Sequence, residues 1–197
     1  MAAVVIGLLV PEPSAAHAPQ TAAEALYSGS LGVLLHPFVL LPLVALGVFF
    51  GQHHRGAFTL PLSVFAAAGA VGAILGQILT PFMSVVPGLL GIAVAISLLS
   101  ALWPRAPLLA GLVAAALAGI PVALIATPPA GQPLLTGLSL LASLTATLLV
   151  LGGTASAVSL LLRHTPAAWV RIGVRIIASW TAAIAALLLS LTLFGSP

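Results

Sequence analysis

The chain offers few groups that could bind an ion, move a proton or attack a carbonyl: five histidines, five arginines, two glutamates and no cysteine among 197 residues. Cysteine-free composition excludes a disulfide framework, a zinc ribbon, iron–sulfur ligation and a thiol nucleophile. Lysine and aspartate are missing too, which removes a Schiff-base lysine, a Walker-type phosphate loop and an Asp proton relay. No nucleophile–base pair or acid pair is visible, so no enzymatic activity and no cofactor are expected. The sharpest local feature is His36-Pro37, which puts an imidazole at a helix break where backbone carbonyls are free. Its functional reading is a metal or proton site with His36 as ligand. Such a site needs several convergent donors, and on the same side of the membrane only Glu12, His17 and Glu24 could join it. The preferred reading is therefore a capping or hydrogen-bonded structural histidine. His53-His54-Arg55 and Arg163-His164 read as solvated loop clusters, and Arg175 as a side chain snorkelling to the membrane surface.

The elements that position these groups follow from the scarcity of charge. A soluble domain carries about a quarter of its residues charged; here the share is 4%, with 61% hydrophobic. Each unpaired charge at mid-bilayer costs roughly 2.5–3.5 kcal/mol on insertion scales, so hydrocarbon is the solvent this composition fits. The net charge of +3 comes without a basic cluster, and nucleic acid is excluded as a partner. About 20 apolar residues cross a bilayer, and polar or Pro-rich punctuation divides the chain into stretches at 31–51, 58–79, 85–102, 107–126, 134–162 and 170–194. The expectation is an all-α polytopic bundle of six transmembrane helices, with the first helix broken at His36-Pro37. The loops are too short to hold a soluble domain, so the chain divides into a leader-like segment, 1–20, and one transmembrane domain, 21–197. The leader combines a short apolar run with small residues around Ala16 and Ala18 that fit signal cleavage, although it lacks a basic start. Arg55, Arg105, Arg163 and Arg171 lie in or beside the odd-numbered loops, which by the positive-inside rule face the cytoplasm and leave both termini outside. Trp103 and Trp169, each near an arginine at a helix end, fit interfacial rings.

Three finer signals concern packing. Thr21 and Glu24 form a capping-box pattern, with Thr21 capping the helix and Glu24 returning to the Thr21 amide. Hydroxyl residues crowd the fifth stretch (Thr136, Ser139, Ser143, Thr145, Thr147, Thr154, Ser156, Ser159); they could line a polar path, but bonding to helix backbone is preferred. Gly152-Gly153 marks an expected kink or close approach there. Small residues recur every fourth position at Ala68, Gly72 and Gly76, at Gly111, Ala115 and Gly119, and at Ala178, Ala182 and Ala186. Such stripes let helices approach closely. The first stripe, with Gln77 beside it, is the expected contact face for another membrane subunit; lipid covers the remainder.

The order of features resembles the HupE/UreJ family, small bacterial membrane proteins associated with hydrogenase and urease gene clusters and regarded as permeases for nickel or related metals. The resemblance rests on a leader ending in an Ala-His-Ala-Pro segment, a helix running into Leu35-His36-Pro37, six spans, a Gly/Ala-rich second span and a last helix that opens with Arg171-Ile172-Gly173. It implies a multi-pass protein of the bacterial inner membrane. The family's first-span signature reads His-Pro-x-x-Gly-x-Asp-His; here Leu40, Pro42 and Leu43 stand at the Gly, Asp and His positions. Where the family carries histidines at the end of the fourth helix, this chain has Ala123-Leu124-Ile125-Ala126-Thr127-Pro128. The resemblance thus implies a ligand-depleted scaffold serving as an accessory subunit of a larger membrane assembly, with a permease for nickel, another divalent metal or a small solute as the alternative.

Overall fold

The structure is a computed structural model describing residues 19–53, 59–78, 85–103, 106–127, 132–165 and 167–194. The leader up to residue 18, with Glu12 and His17, lies outside the described residues, as do His54, Arg55, Arg105 and the side chain of Gln77. Seven helices make up the described residues: α1 (Ala22–Leu34), α2 (Pro37–His53), α3 (Thr59–Ile78), α4 (Val86–Leu102), α5 (Leu108–Ala126), α6 (Pro133–His164) and α7 (Ala168–Phe194). No strand occurs among them. The protein is an all-α bundle of membrane type.

Proline chemistry explains the first break. Pro37 has no N–H to lose at the first position of a helix, and it pushes the residue before it away from helical backbone. Accordingly α1 ends at Leu34, and the His36 carbonyl accepts the first bonds of α2 from Val39 and Leu40, both at 3.0 Å. The two axes meet at 66°. At the start of α1, Thr21 Oγ1 accepts the Glu24 amide at 3.2 Å as expected, but the Glu24 carboxylate accepts from the Gln20 amide at 2.8 Å rather than from Thr21. The reach-back falls one residue earlier than the sequence pattern gives.

The six expected stretches resolve into three kinds of element. Helices α3, α5, α6 and α7 are each long and apolar enough to cross a membrane, and α1 with α2 pass together as a bent pair, a fifth candidate. Helix α4 has 17 residues, about 25 Å at 1.5 Å per residue, the lower limit for a span. Helix α2 is the hub: every residue from Ala45 to Gly51 is buried, against α6, α4, α5 and α7. Phe49, Phe50, Leu43, Leu46, Leu89 and Leu151 are fully buried and fill the centre. In lipid, apolar faces gain little by meeting one another, so association depends on close packing.

Glycines make that packing possible at three seams. Gly47 and Gly51 of α2 lie against α6, where an added Cβ would fall 2.6 Å from Thr154 Cβ or from the Ala155 carbonyl oxygen. The close approach expected at Gly152-Gly153 is therefore supplied by the opposite helix: Gly153 faces open space, and α6 runs uninterrupted past both. Gly29 of α1 lies against the Ser139 backbone of α6, and Ser143 Oγ donates to the Gly29 carbonyl at 2.9 Å. The third seam joins α3 to α5, with Gly72 on the Ile120 carbonyl, Gly76 on the Thr127 side chain and Gly119 on the Phe65 carbonyl and Ala68 Cβ. The Ala68, Gly72, Gly76 stripe is consequently covered inside the chain by α5. It is not a spare face, because Gly119, Ile120 and Thr127 of α5 lie opposite Ala68, Gly72 and Gly76.

Candidate functional site

At the end of the bundle where α5 stops and α6 starts, the α1–α2 break opens into a cavity of about 230 Å³. Its walls include Ser28, His36, Thr127, Ser139 and Ser143. Each arrives by a local rule. His36 is held by the Pro37 break, and Ser139 and Ser143 lie four apart, one above the other on the α6 face that meets α1. Thr127 is the C-cap of α5, and its hydroxyl donates to the Ala123 carbonyl at 2.7 Å. Ser28 donates to the Ala25 carbonyl at 3.2 Å. The His36 ring is exposed and makes no hydrogen bond among the described residues; its role there is to start α2 through its backbone carbonyl. No three His, Asp or Glu side chains cluster for a metal ion among the described residues.

A second cavity, of about 260 Å³, adjoins the first: Ala126 and Ser143 line both. Its other walls are almost wholly hydrocarbon, from α3 (Phe65, Ala73, Ile74) and α6 (Leu141, Leu144), with α5 behind. Gly69 helps to open it, since a Cβ there would meet nothing nearer than 3.8 Å. Most remaining hydroxyls are spent on their own helices: Thr145 donates to Leu141, Thr147 to Ser143 and Thr181 to Ile177, at 2.7–2.9 Å. They line no path.

Polar groups also gather at the opposite end of the bundle, where the sequence suggested only solvated residues. His53 is half-buried, with Nδ1 3.0 Å from the Phe49 carbonyl oxygen and Nε2 2.7 Å from that of Trp103, and its ring lies 4.6 Å from that of Phe49. Each ring nitrogen thus faces a carbonyl oxygen, and the nitrogen that carries hydrogen donates to its carbonyl. Arg175 does not simply snorkel: its Nε donates to the Ala101 carbonyl at 2.7 Å. Two side chains from α2 and α7 thus cap the last carbonyls of α4, which lack helical partners. Nearby on α4, the buried Ser97 and Ser100 hydroxyls have no partner among the described residues, nor does Gln52 Nε2. Arg163, His164 and Arg171 are exposed, as are Trp103 and Trp169.

The sequence singled out His36 and the α6 hydroxyls separately; the fold brings His36, Ser139 and Ser143 to one cavity. It missed the clamp made by His53 and Arg175, whose only signal was a basic residue near each helix end. Compared with family models, curated proteins and solved structures, the chain matches none of them.

Proposed function

We propose that this chain is a ligand-depleted, HupE/UreJ-like membrane protein that acts by contact, as an accessory subunit of a larger assembly in the bacterial inner membrane, with both termini on the outer side. One observation carries the reading: His36 and the end of α5, Ile125 to Thr127, line the same cavity. That is where the resembling family would set its second group of histidines beside the first. Here the position offers hydrocarbon and a threonine hydroxyl already given to Ala123. A divalent cation exchanging its hydration shell needs several donors, and a single imidazole is too few. Roughly 18 Å further along α2, Phe49 and Phe50 fill the centre of the bundle.

Helix α7 is the face that favours a partner. Ile176, Ile177, Trp180, Ile184 and Leu187 stand exposed along it, and Trp180, 69% exposed, lies about 18 Å from the helix start. That is mid-membrane depth, whereas indole rings prefer the interface, where the N–H finds a partner. Its N–H has none among the described residues.

The test is a photo-crosslinking amino acid at position 180, illuminated in native membranes, with position 149 on the exposed face of α6 as control. A discrete heavier adduct at 180 alone is expected. Purification as a bare monomer with no adduct would sink the reading. The permease alternative retains the His36 cavity in its favour: nickel uptake by the chain in a transport-deficient host, lost in His36→Ala while the protein still accumulates, would replace this conclusion.

A further inference from the structure

We propose that the two adjoining cavities form one binding site for a single-chain amphiphile, an acyl chain ending in an oxygen acceptor. This does not rest on the accessory-subunit reading. The apolar cavity holds the chain and the cavity beside His36 holds the head. The order of polarity is the first support. The polar walls sit where α5 ends and α6 begins, at the rim of the bundle, and the apolar walls run inward to Phe65 and Thr147. Those two residues lie about 20 Å from the ends of α3 and α6 at that rim, roughly the depth of one leaflet. An amphiphile standing in that leaflet meets its own polarity profile along the site.

The hydrogen-bond inventory sets the head. Ser28, Thr127 and Ser143 have given their hydroxyl protons to backbone carbonyls. The His36 ring and the Ser139 hydroxyl have made no such bond among the described residues, and both line the polar cavity. Donors are thus what the site has to offer, and a carboxylate or ester carbonyl is the group that accepts them. Among the described residues no acidic side chain lines this cavity, so a negative head meets no like charge from those walls. The volumes, about 260 and 230 Å³, together fall within the 300–1,000 Å³ typical of ligand sites. Ile74 and Leu141 stand exposed on the lipid side of the apolar cavity, giving a chain lateral access from the bilayer.

The experiment uses the full chain in phosphatidylcholine nanodiscs with two probes: a hexadecanoic acid carrying a diazirine near its methyl end, and a phosphatidylcholine carrying the same diazirine chain. After illumination, labelled residues are mapped by mass spectrometry. The expected result is labelling concentrated on 65–74 and 140–147. Ala73→Phe, which fills the apolar cavity, should cut it at least fivefold while labelling at Leu149 and Leu187 is unchanged. His36→Ala should weaken labelling by the free acid severalfold. Concentration by the acid supports a single-chain occupant; concentration by the phospholipid alone identifies a two-chain bilayer lipid and overturns the proposal. Gly153→Ala, in open space and outside both cavities, is the folding control. Labelling spread evenly over all exposed helix faces, or unaffected by Ala73→Phe in a chain that remains monodisperse, overturns the proposal.

Discussion

Replacing Gly72 by alanine tests the α3–α5 seam, and the structure supplies its own control three residues away. A Cβ at Gly72 falls onto the Ile120 carbonyl oxygen, 2.9 Å from Ile120 Cα and 3.0 Å from its carbonyl carbon. These are backbone atoms, so no side-chain rotation relieves the overlap and α5 must shift. Overpacking of this kind costs about 1–3 kcal/mol. A Cβ at Gly69 meets nothing nearer than 3.8 Å, and there the substitution gains the roughly 0.5–1 kcal/mol by which alanine exceeds glycine inside a helix. Both positions are in the interior of one helix, so the helix-propensity gain is common to both and the difference isolates the overlap. Gly69→Ala should hold or raise stability, and Gly72→Ala should fall about 1–3 kcal/mol below it. Reversible unfolding by sodium dodecyl sulfate in mixed micelles, followed by circular dichroism, measures both. Equal stabilities, or Gly72→Ala the more stable, would refute the seam. Gly72→Leu should unfold the chain rather than merely release a partner.

Removing the α7 clamp with Arg175→Met leaves the Ala101 carbonyl unpaired and should cost about 1 kcal/mol in the same assay, discounted for the exposure of the guanidinium; no change would remove Arg175 from the account of the α4 end. Thr21→Ala should destabilise the start of α1 by about 1 kcal/mol, seen as faster hydrogen exchange at the Glu24 amide with α6 unaffected. Cysteines at Gln132 and His164, at opposite ends of α6, should label from opposite sides with an impermeant thiol reagent, His164→Cys from the cytoplasmic side; labelling from one side would exclude α6 as a span.

How much was legible in the sequence differs between the helices and their pairing. Apolar stretches bounded by proline and arginine placed all the long helices, because length and hydropathy are local properties. Pro37 located the bend for the same reason. What small-residue stripes do not encode is who lies opposite: Ala68, Gly72 and Gly76 have the spacing of a close-approach face, and only the fold shows that Gly119 of α5 occupies it. Glu24 illustrates a finer limit, since its reach to Gln20 rather than Thr21 depends on backbone geometry one residue outside the helix. The cavity beside His36 was half visible. Its imidazole and the α6 serines drew notice for their chemistry, but their meeting depends on the 66° turn between α1 and α2 and on the Gly29 contact with Ser139. The clamp at the other end was hidden because His53 has loop-like neighbours in sequence, while Trp103, the residue whose carbonyl it meets, is 50 positions away.

The unequal lengths of α4 and α6 carry a consequence for the surrounding bilayer. Helix α6 has 32 residues, about 48 Å; even tilted by 40° it would span roughly 37 Å along the bilayer normal, against a hydrocarbon core near 30 Å. Helix α4 reaches only about 25 Å, and Gly88, Ala95 and Leu98 expose one side of it. One protein therefore asks lipid to be thick on one flank and thin on the other. Acyl chains must stretch beside α6 and compress beside α4, and the mismatch costs fractions of a kcal/mol per ångström. The chain is in effect a wedge in membrane thickness, so thin and thick bilayers should hold it at different tilts.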